Sequence, residues 1–445
     1  MSTAPIDAVV GRAPLNAFHA WVVVIAALLM VIDGYDLVSF GSALPHIIAD
    51  WDADPVLMGL VASSALLGVF VGGLVVAPLA DRHGRRPVIA ATILAASVAS
   101  FLCGFVHDPY TLAALRFVVG LAIGGLMPNF MALTAEVSPL RYKSVFVALV
   151  SAFYAIGGLI AAFVGILLEP VFGWRVIFFV AGAGVLMVPV VLRLLPESPE
   201  YLLVVGDRER LRAVVGRIVP GFAPGDIDAI SVPIRSPRSP VARILSRRNA
   251  LATVLIWVFF VMTMVLSYAL LTWLPVLMRG AGFALSSAIW TLVVLNLGGF
   301  VGSVLGGWLA VRFTFRRTLV GYFTAAVTAF VGLSFNPPAA VLYAWLFVAG
   351  AAVIGILAII HAFAVEFYPA SVRSTGVGWA TGVGRIGAIA GPIIGGMLVA
   401  AQLPLQVSFL VFVVPAAIGC LAVILVARRS FVGDGTDASP RVTTR

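Results

Sequence analysis

Long apolar runs separated by short polar loops dominate this chain, and their length constrains the fold more than any other feature. A helix rises about 1.5 Å per residue and the hydrocarbon core of a bilayer is about 30 Å thick, so about 20 apolar residues cross it. Twelve runs of the 445-residue chain meet this length. With 62% hydrophobic and only 11% charged residues, the chain carries far more apolar surface than a soluble domain can bury. We therefore expect an all-α membrane protein with twelve transmembrane helices.

The basic residues are distributed unequally between the loops. If the N-terminus lies inside the cell, the cytoplasmic loops hold almost all of the arginines and the single lysine, Lys143. The outer loops then hold only Arg175 and Arg279. Because cytoplasmic loops carry an excess of Lys and Arg, both termini are expected in the cytoplasm. The net charge of +9 belongs to these loops and does not indicate nucleic-acid binding.

The chain repeats itself at a spacing of 230 residues. At this shift Glu136 meets Glu366, and Gly157 meets Gly387. The repeat predicts two parallel six-helix halves, with a substrate site between them at the membrane midplane and rocking of the halves around it. The two halves are expected at 19–196 and 249–427, joined by a cytoplasmic linker at 197–248. Cytoplasmic tails are expected at 1–18 and 428–445.

Asp33 and Asp36 interrupt the first apolar run. Asp33 falls close to the middle of a helix of this length, where a carboxylate costs at least about 2.5–3.5 kcal/mol. The two residues are three positions apart, so they lie on one face of the helix. Burial and the second carboxylate both disfavour the charged form of either group. The pair is a candidate for carrying a proton, and the alternative is that it anchors a neighbouring helix through an arginine.

Two arginines also fall inside apolar runs, Arg116 in the fourth and Arg385 in the eleventh. A guanidinium suits a carboxylate because it can donate two parallel hydrogen bonds. Arg385 lies near the middle of its run and in the half opposite Asp33, which makes it the first candidate for binding a substrate carboxylate. Arg116 is in the same half as the aspartates and is the second candidate, or it pairs with one of them.

The loop after the second apolar run reads APLADRHGRRP at 77–87. It resembles the signature loop of the major facilitator superfamily, with Ala77 in place of the first glycine. The second half keeps the frame of this loop at 307–312 but has Val311 in place of the aspartate. The stretches GWR at 173–175 and PESP at 196–199 also resemble this superfamily. The resemblance implies the major facilitator fold.

The sequence DGYD at 33–36 resembles the Asp-Gly-x-Asp element of the aromatic acid:proton symporters, and MPN at 127–129 and GRIG at 384–387 are similar to that family. The resemblance implies a secondary transporter that imports an aromatic carboxylic acid with a proton by alternating access. It also implies a multi-pass protein of a bacterial plasma membrane, surrounded by lipid and functional as a monomer. No cofactor, no metal and no nucleic-acid partner are expected, and no enzymatic activity.

Residues that line the substrate site and residues that control the opening of the two sides are expected from the same patterns. The candidates for contact with the aromatic ring or its polar groups are Tyr35, Phe40, Asn129, Tyr154, Tyr268, Asn296 and Trp379. The candidates for gating are Asp81, Arg82, Gly84, Arg85, Arg86, Glu136, Arg141, Glu366 and Arg373. Glu136 with Arg141, and Glu366 with Arg373, are expected to pair at matching positions of the two halves. Such pairs could hold the cytoplasmic side closed in the outward-facing state.

Several alternatives remain open from the sequence. A proton-driven exporter or antiporter of small organic molecules would have the same fold. A symporter of a non-aromatic acid or of a sugar is also compatible, since sugar porters share the PESP element at 196–199. An intramembrane enzyme or a channel fits less well, because no nucleophile-base pair or set of metal ligands is visible and a channel does not need two repeated halves.

Overall fold

The computed structural model describes residues 4–220, 230–231, 244–246, 249–368 and 372–426. Within these ranges, twelve helices are long and apolar enough to cross a membrane, as the apolar runs predict. In chain order, α1 to α12 are Ala17–Trp51, Pro55–Val75, Arg85–Cys103, Pro109–Val137, Lys143–Leu167, Arg175–Leu194, Ala250–Gly280, Leu285–Arg312, Phe315–Ser334, Ala339–Phe367, Arg373–Ala400 and Leu405–Leu425. The sixth helix contains a 3-10 turn, Ala183–Leu186, between its two α-helical parts.

The 230-residue repeat reappears in the helix bounds. Adding 230 to the bounds of α4, Pro109–Val137, gives 339–367, which are the bounds of α10. The same shift takes the first residue of α3 to that of α9, and the first residue of α5 to that of α11. The two halves therefore have one helical plan, as the internal repeat predicts.

Equivalent glycines make the tight helix crossings in the two halves. In the first half α2 packs on α4, and a Cβ at Gly68 would collide with the carbonyl oxygen of Phe117. In the second half α8 packs on α10, and a Cβ at Gly298 would collide with the carbonyl oxygen of Phe347. Both residues of the second pair lie 230 positions after those of the first. Small residues let helix backbones approach where lipid provides no hydrophobic driving force.

The two halves meet through α1 with α7, α2 with α11, and α5 with α8. The 197–248 segment begins at one end of the bundle, which we call the linker end. The opposite end, which carries Glu169, is called the far end. The close contacts between the halves cluster toward the far end. The Ser63 hydroxyl donates to the Ile389 carbonyl at 2.7 Å, and a Cβ on Gly396 would lie 2.6 Å from the Pro55 carbonyl oxygen.

At the linker end the facing helices expose apolar side chains instead. Leu74 near the end of α2 is 64% exposed, and Trp379 near the start of α11 is 45% exposed. The halves are therefore in closest contact toward the far end.

Two short helices, Pro199–Val205 and Arg208–Ile218, begin the segment between the halves. They are docked against the start of α1, because the side-chain amide of Asn16 donates to the carbonyls of Arg217 and Ile218 at 3.0 and 3.2 Å. The oxygen of the same side chain caps the N-terminus of α1. Much of the expected linker, and the expected C-terminal tail at 428–445, lie outside the described residues.

Candidate functional site

A buried ion pair lies inside the first half, between α1 and α4. One guanidinium nitrogen of Arg116, Nη1, is 2.8 Å from Oδ1 of Asp36, and both side chains are less than one tenth exposed. The Ser100 hydroxyl of α3 lies 3.4 Å from the same oxygen, and the guanidinium stands over the ring of Phe40 at 5.2 Å. Asp36 thus connects three helices of one half. Of the two roles that the sequence allowed for Arg116, the structure shows the pairing with an aspartate.

Asp33 has different surroundings, because it faces the other half. It lies within electrostatic reach of Arg385 on α11, as well as of Asp36. The Tyr154 hydroxyl of α5 lies within the same reach of Asp33, Arg385 and Tyr268. Among the described residues, no ion pair as close as 4 Å joins Asp33 to an arginine. The carboxylate of Asp33 is therefore opposed by a charge across the gap between the halves and is not fixed by a salt bridge.

Close helix crossings place these groups. A Cβ on Gly34 would collide with the carbonyl oxygen of Tyr154, and a Cβ on Gly157 with the carbonyl oxygen of Val31. The sequence therefore brings the backbones of α1 and α5 into contact at the level of Asp33, which sets Tyr154 beside it. The equivalent crossing in the second half has Gly387 against the carbonyl oxygen of Val261, two residues from Arg385.

Arg385 stands among side chains of the second half. The Tyr268 side chain of α7 lies beside it. His361 of α10 lies within its electrostatic reach and packs edge-on against the ring of Phe260, with ring centroids 5.4 Å apart. The site therefore combines one partly exposed guanidinium with the partly exposed rings of Tyr154 and Tyr268.

Several residues expected at the substrate site lie elsewhere in the structure. The Tyr35 hydroxyl donates to the Ile177 carbonyl of α6 at 2.9 Å, and Phe40 is fully buried under Arg116. Asn296 is buried where α8 meets Gly158 of α5. These side chains serve packing between helices, as most aromatic residues in membrane helices do.

Trp379 and Asn129, also expected to contact the substrate, lie away from Asp33 and Arg385. The Trp379 ring stacks on Trp257 at 5.8 Å, six residues before Arg385 and toward the linker end. The amide oxygen of Asn129 lies 3.3 Å from Arg85, and its NH₂ group donates to the carbonyl of Gly125. Of the expected contact residues, Tyr154 and Tyr268 are the ones that the structure brings together with Asp33 and Arg385.

The signature loop is built around one carboxylate, that of Glu197. Its Oε1 accepts the backbone N–H groups of Arg85 at 2.7 Å, Arg86 at 3.2 Å and Ser198 at 3.0 Å, so it caps the start of α3. Gly84 just before the cap has φ 92° and ψ 151°, and a Cβ there would lie 2.6 Å from the other oxygen of Glu197. This backbone region is open essentially to glycine alone. Asp81 and Arg82 lie exposed on the short helix Leu79–His83 beside it.

The expected pairing of Glu136 with Arg141 is wrong. Glu136 instead binds Arg85 Nη2 at 2.5 Å, and its second oxygen accepts the Ser198 hydroxyl at 2.5 Å. Arg85 opens α3 directly beside the end of α4, whereas Arg141 lies over the ring of Tyr142 at 5.5 Å. These bonds lie within the first half and the start of the linker, so they brace that half and do not join it to the second.

The matching pair in the second half has no counterpart of this brace among the described residues. The Arg373 Nε donates to the Tyr368 carbonyl at 3.3 Å, and Glu366 is exposed at the end of α10. The second half has Phe315 where the first has Arg85, so the cation of the brace is not repeated there.

A second ionisable cluster, at the far end, was not expected from the sequence. Glu169 is 2% exposed and its Oε1 contacts the Nδ1 of His46 on α1. In the described structure its Oε2 has no hydrogen-bond partner. Burial raises the pKa of Glu169 above its ordinary value of 4.5, while His46 and then Arg279 of the second half act against that rise.

Glu169 could have been suspected from its place beside Pro170 and Gly173 in a short loop between two apolar runs. His361 carried a clearer signal, since it is the one histidine inside an apolar run of the second half. Ionisable groups inside membrane helices are rare and face the bundle interior or a cavity. The role of Glu197 had no such signal, because it depends on a loop that folds back over the start of α3.

The arrangement can bind an anion and a proton at one level of the bundle. A guanidinium next to two tyrosine rings suits a planar carboxylate with an apolar body. A carboxylate that no arginine fixes can take up a proton. Asp36, by contrast, is held by Arg116.

Comparisons with known proteins agree with this architecture. The sequence profile of the Major Facilitator Superfamily matches residues 26–339 and, in a second match, 290–440. The chain is similar to the benzoate transport protein of Acinetobacter baylyi, with 37% identity over 95% of this chain and 93% of that protein. It is also similar to the 4-hydroxybenzoate transporter of Pseudomonas aeruginosa, with 33% identity over 94% of this chain and 95% of that protein.

A solved structure with the same fold is the partially occluded, inward-open xylose transporter of E. coli. The superposition covers 95% of this chain and 100% of the xylose transporter, with a TM-score of 0.74 and 15% sequence identity. The expectation of a transporter with two six-helix halves, and not an enzyme, is confirmed. The chain belongs to the Major Facilitator Superfamily and is a multi-pass membrane transporter.

Proposed function

We propose that the protein imports an aromatic carboxylic acid together with a proton by alternating access. The observation that carries the proposal is that Asp33 of the first half faces Arg385 of the second half, with Tyr154 and Tyr268 beside them. The carboxylate of one half can hold a proton, and the guanidinium of the other half can bind an anion. The relatives support the aromatic class, since one is named for benzoate and another for 4-hydroxybenzoate.

The coupling step follows from the charges at the site. While Asp33 is ionised, it is the counter-charge of Arg385 across the gap. When a proton binds to the Asp33 carboxylate, Arg385 loses that counter-charge, and the substrate carboxylate replaces it by accepting hydrogen bonds from the guanidinium. The loaded site then holds one neutral carboxylic acid and one neutralised guanidinium. The closed halves can enclose it without burying an unpaired charge.

Asp36 is assigned a supporting role in this scheme, because Arg116 and Ser100 already bind it. We assign proton transfer to Asp33, the aspartate that faces the other half. Arg385 is assigned to the substrate carboxylate, and Tyr154 and Tyr268 to the ring. The site is completed by the two halves of a single chain, which supports function as a monomer.

The charge distribution supports placing the linker end and both termini in the cytoplasm of a bacterial cell, in the plasma membrane. In that orientation the closest contacts between the halves lie toward the outer side, which supports an inward-open state. The brace around Glu197 and Glu136 would keep the first half rigid while the halves rock, which is the gating role that we propose for the signature loop.

Uptake into proteoliposomes tests the function. Radiolabelled aromatic acids are offered with an imposed inward proton gradient, with and without a protonophore, and with sodium replaced by potassium. We expect accumulation that needs the proton gradient and is indifferent to sodium. Uptake that continues unchanged after the gradient collapses would rule out symport. Transport of xylose but of no aromatic acid would point to a sugar porter, and acid efflux driven by proton entry would point to an antiporter.

A further inference from the structure

His361 is an ionisable side chain at the candidate site that the coupling scheme leaves without a role. It lies on α10, within electrostatic reach of Arg385 on α11. Its ring packs edge-on against Phe260 of α7, with ring centroids 5.4 Å apart and planes at 83°. The neighbouring Gly384 also packs against Phe260, with a Cβ there at 3.4 Å from the Phe260 side chain. Three helices that carry the substrate-binding groups therefore fix the position of this imidazole.

The face of α10 that carries His361 is turned toward the gap between the halves. Ala358, His361 and Val365 are partly or fully exposed and follow one another at helical spacing. On the other side, α10 packs on α8 and α9 of its own half. The imidazole thus shares the gap with Arg385.

One edge of the ring is already occupied. Nδ1 of His361 lies 3.4 Å from the carbonyl oxygen of Leu357, one turn earlier in the same helix. In a neutral imidazole the hydrogen bond made by one nitrogen decides which nitrogen carries the proton. A proton on Nδ1, directed at this carbonyl, leaves Nε2 as a hydrogen-bond acceptor.

We propose that His361 accepts a hydrogen bond from a ring hydroxyl of the transported acid, and thereby selects hydroxylated aromatic acids over unsubstituted benzoate. This inference rests on the proposed function, because it needs Arg385 to hold the carboxylate of the same molecule. The carboxylate then lies at the guanidinium, the ring lies beside the two tyrosines, and the hydroxyl reaches Nε2. A site built to bond a hydroxyl also disfavours ligands without one, since they leave its polar group unpaired.

Binding measurements on the purified full-length protein test this role. Benzoate, 3-hydroxybenzoate, 4-hydroxybenzoate and 4-methoxybenzoate are titrated while tryptophan fluorescence is followed. The methoxy compound keeps the oxygen but has no proton to donate. The wild type should bind at least one hydroxybenzoate about two- to tenfold more tightly than benzoate and 4-methoxybenzoate, the range of one neutral hydrogen bond.

The variants separate this role from a packing role. His361→Phe keeps a ring against Phe260 and should bring the ratio of affinities close to one by weakening the hydroxylated acid alone. His361→Gln retains an acceptor and should keep part of the preference. His107→Phe removes an exposed histidine in the loop before α4 and should leave every affinity and ratio unchanged.

Two results would overturn the assignment. One is a wild type that binds both hydroxybenzoates no better than benzoate. The other is a hydroxyl preference that persists in His361→Phe, or in His361→Leu should the phenylalanine variant fail to accumulate. In both cases benzoate still binds and the proposed function stands. A wild type that binds none of the four acids would contradict the proposed function itself.

Discussion

Arg116 Nη1 and Asp36 Oδ1 lie 2.8 Å apart between two helices of the same half, with both side chains almost completely buried. The pair therefore moves as part of one rigid body during any rocking of the halves. Its neighbour Asp33, one turn earlier on α1, faces Arg385 on the other body. Two aspartates that look equivalent in the sequence thus have different surroundings: Asp36 is paired within its own half, and Asp33 faces the other half.

Removing one partner of the buried pair should destabilise the first half. Arg116→Ala leaves Asp36 ionised without a partner, and breaking a buried ion pair in this way costs about 3–5 kcal/mol. The double variant Asp36→Asn with Arg116→Gln removes both charges and should recover much of the loss. Thermal unfolding of detergent-solubilised protein measures this. A single variant as stable as the wild type would show that the pair adds nothing to stability.

The Asp33 side chain should control coupling without being needed for folding. Asp33→Asn imitates the protonated acid, so we expect the variant to bind the aromatic acid and to exchange labelled for unlabelled acid across proteoliposomes. Uptake driven by a proton gradient should be lost. The matched variant Asp36→Asn should lose expression or stability instead. Normal proton-driven accumulation by Asp33→Asn would refute the assignment of the proton to this residue.

Arg385 should discriminate a carboxylate from a neutral group. Lysine keeps the charge but loses the planar fork, so Arg385→Lys should weaken binding of an aromatic acid and Arg385→Ala should abolish it. Benzamide, the neutral amide of benzoic acid, should bind poorly to the wild type. Calorimetry on purified protein gives these affinities. If acid and amide bind equally, or if Arg385→Ala binds the acid normally, then another group holds the carboxylate, and Arg116 becomes the next candidate.

Gly84 should tolerate no side chain. Its φ of 92° with ψ of 151° is accessible essentially to glycine, and a Cβ would press on the Glu197 carboxylate that caps α3. Gly84→Ala should lower the free energy of unfolding by about 1–3 kcal/mol. The control is Gly307→Ala in α8, where a Cβ meets no atom within 4 Å. Thermal unfolding of both variants checks this, and an unchanged midpoint in Gly84→Ala would contradict the strain argument.

The far-end cluster predicts a pH dependence of stability. Burial raises the pKa of Glu169 above 4.5, so the folded protein holds this proton more tightly than the unfolded chain. The resulting stabilisation is complete below pH 4.5 and is lost as the pH rises through the raised value. Glu169→Gln carries no such proton. Its unfolding midpoint, compared with that of the wild type, should therefore rise as the pH increases from 4.5. A constant difference between the two proteins over that range would contradict the raised value.

The sequence predicted the features that depend on length and repetition. Apolar runs of about 20 residues have one stable state in a bilayer, and the bounds of α4 and α10 differ by the same 230 residues as the motifs. The sequence also indicated Asp33 and Arg385 as candidates, because a charge at mid-membrane is too unfavourable to be placed there without a role. The structure brings the two within electrostatic reach of each other.

The sequence could not predict which polar groups meet. Glu136 and Arg141 are close along the chain, but a turn between α4 and α5 separates them and places Arg85 beside the carboxylate instead. Tyr35 lies next to the candidate aspartates, yet its hydroxyl points to α6 because consecutive residues of a helix face different neighbours. Such contacts depend on how the helices cross, and no periodicity encodes the crossing.

The placement of Asp33 and Arg385 on separate halves also bears on leakage of protons. Suppose Asp33 has taken a proton but no acid has bound. Arg385 then has lost its counter-charge, and closing the linker end would enclose an unpaired cation in a dry seam, which is strongly unfavourable. The empty, protonated carrier therefore stays where it was loaded, and the proton cannot cross alone. The same opposition of charges that admits the substrate would thus prevent protons from dissipating the membrane potential between transport cycles.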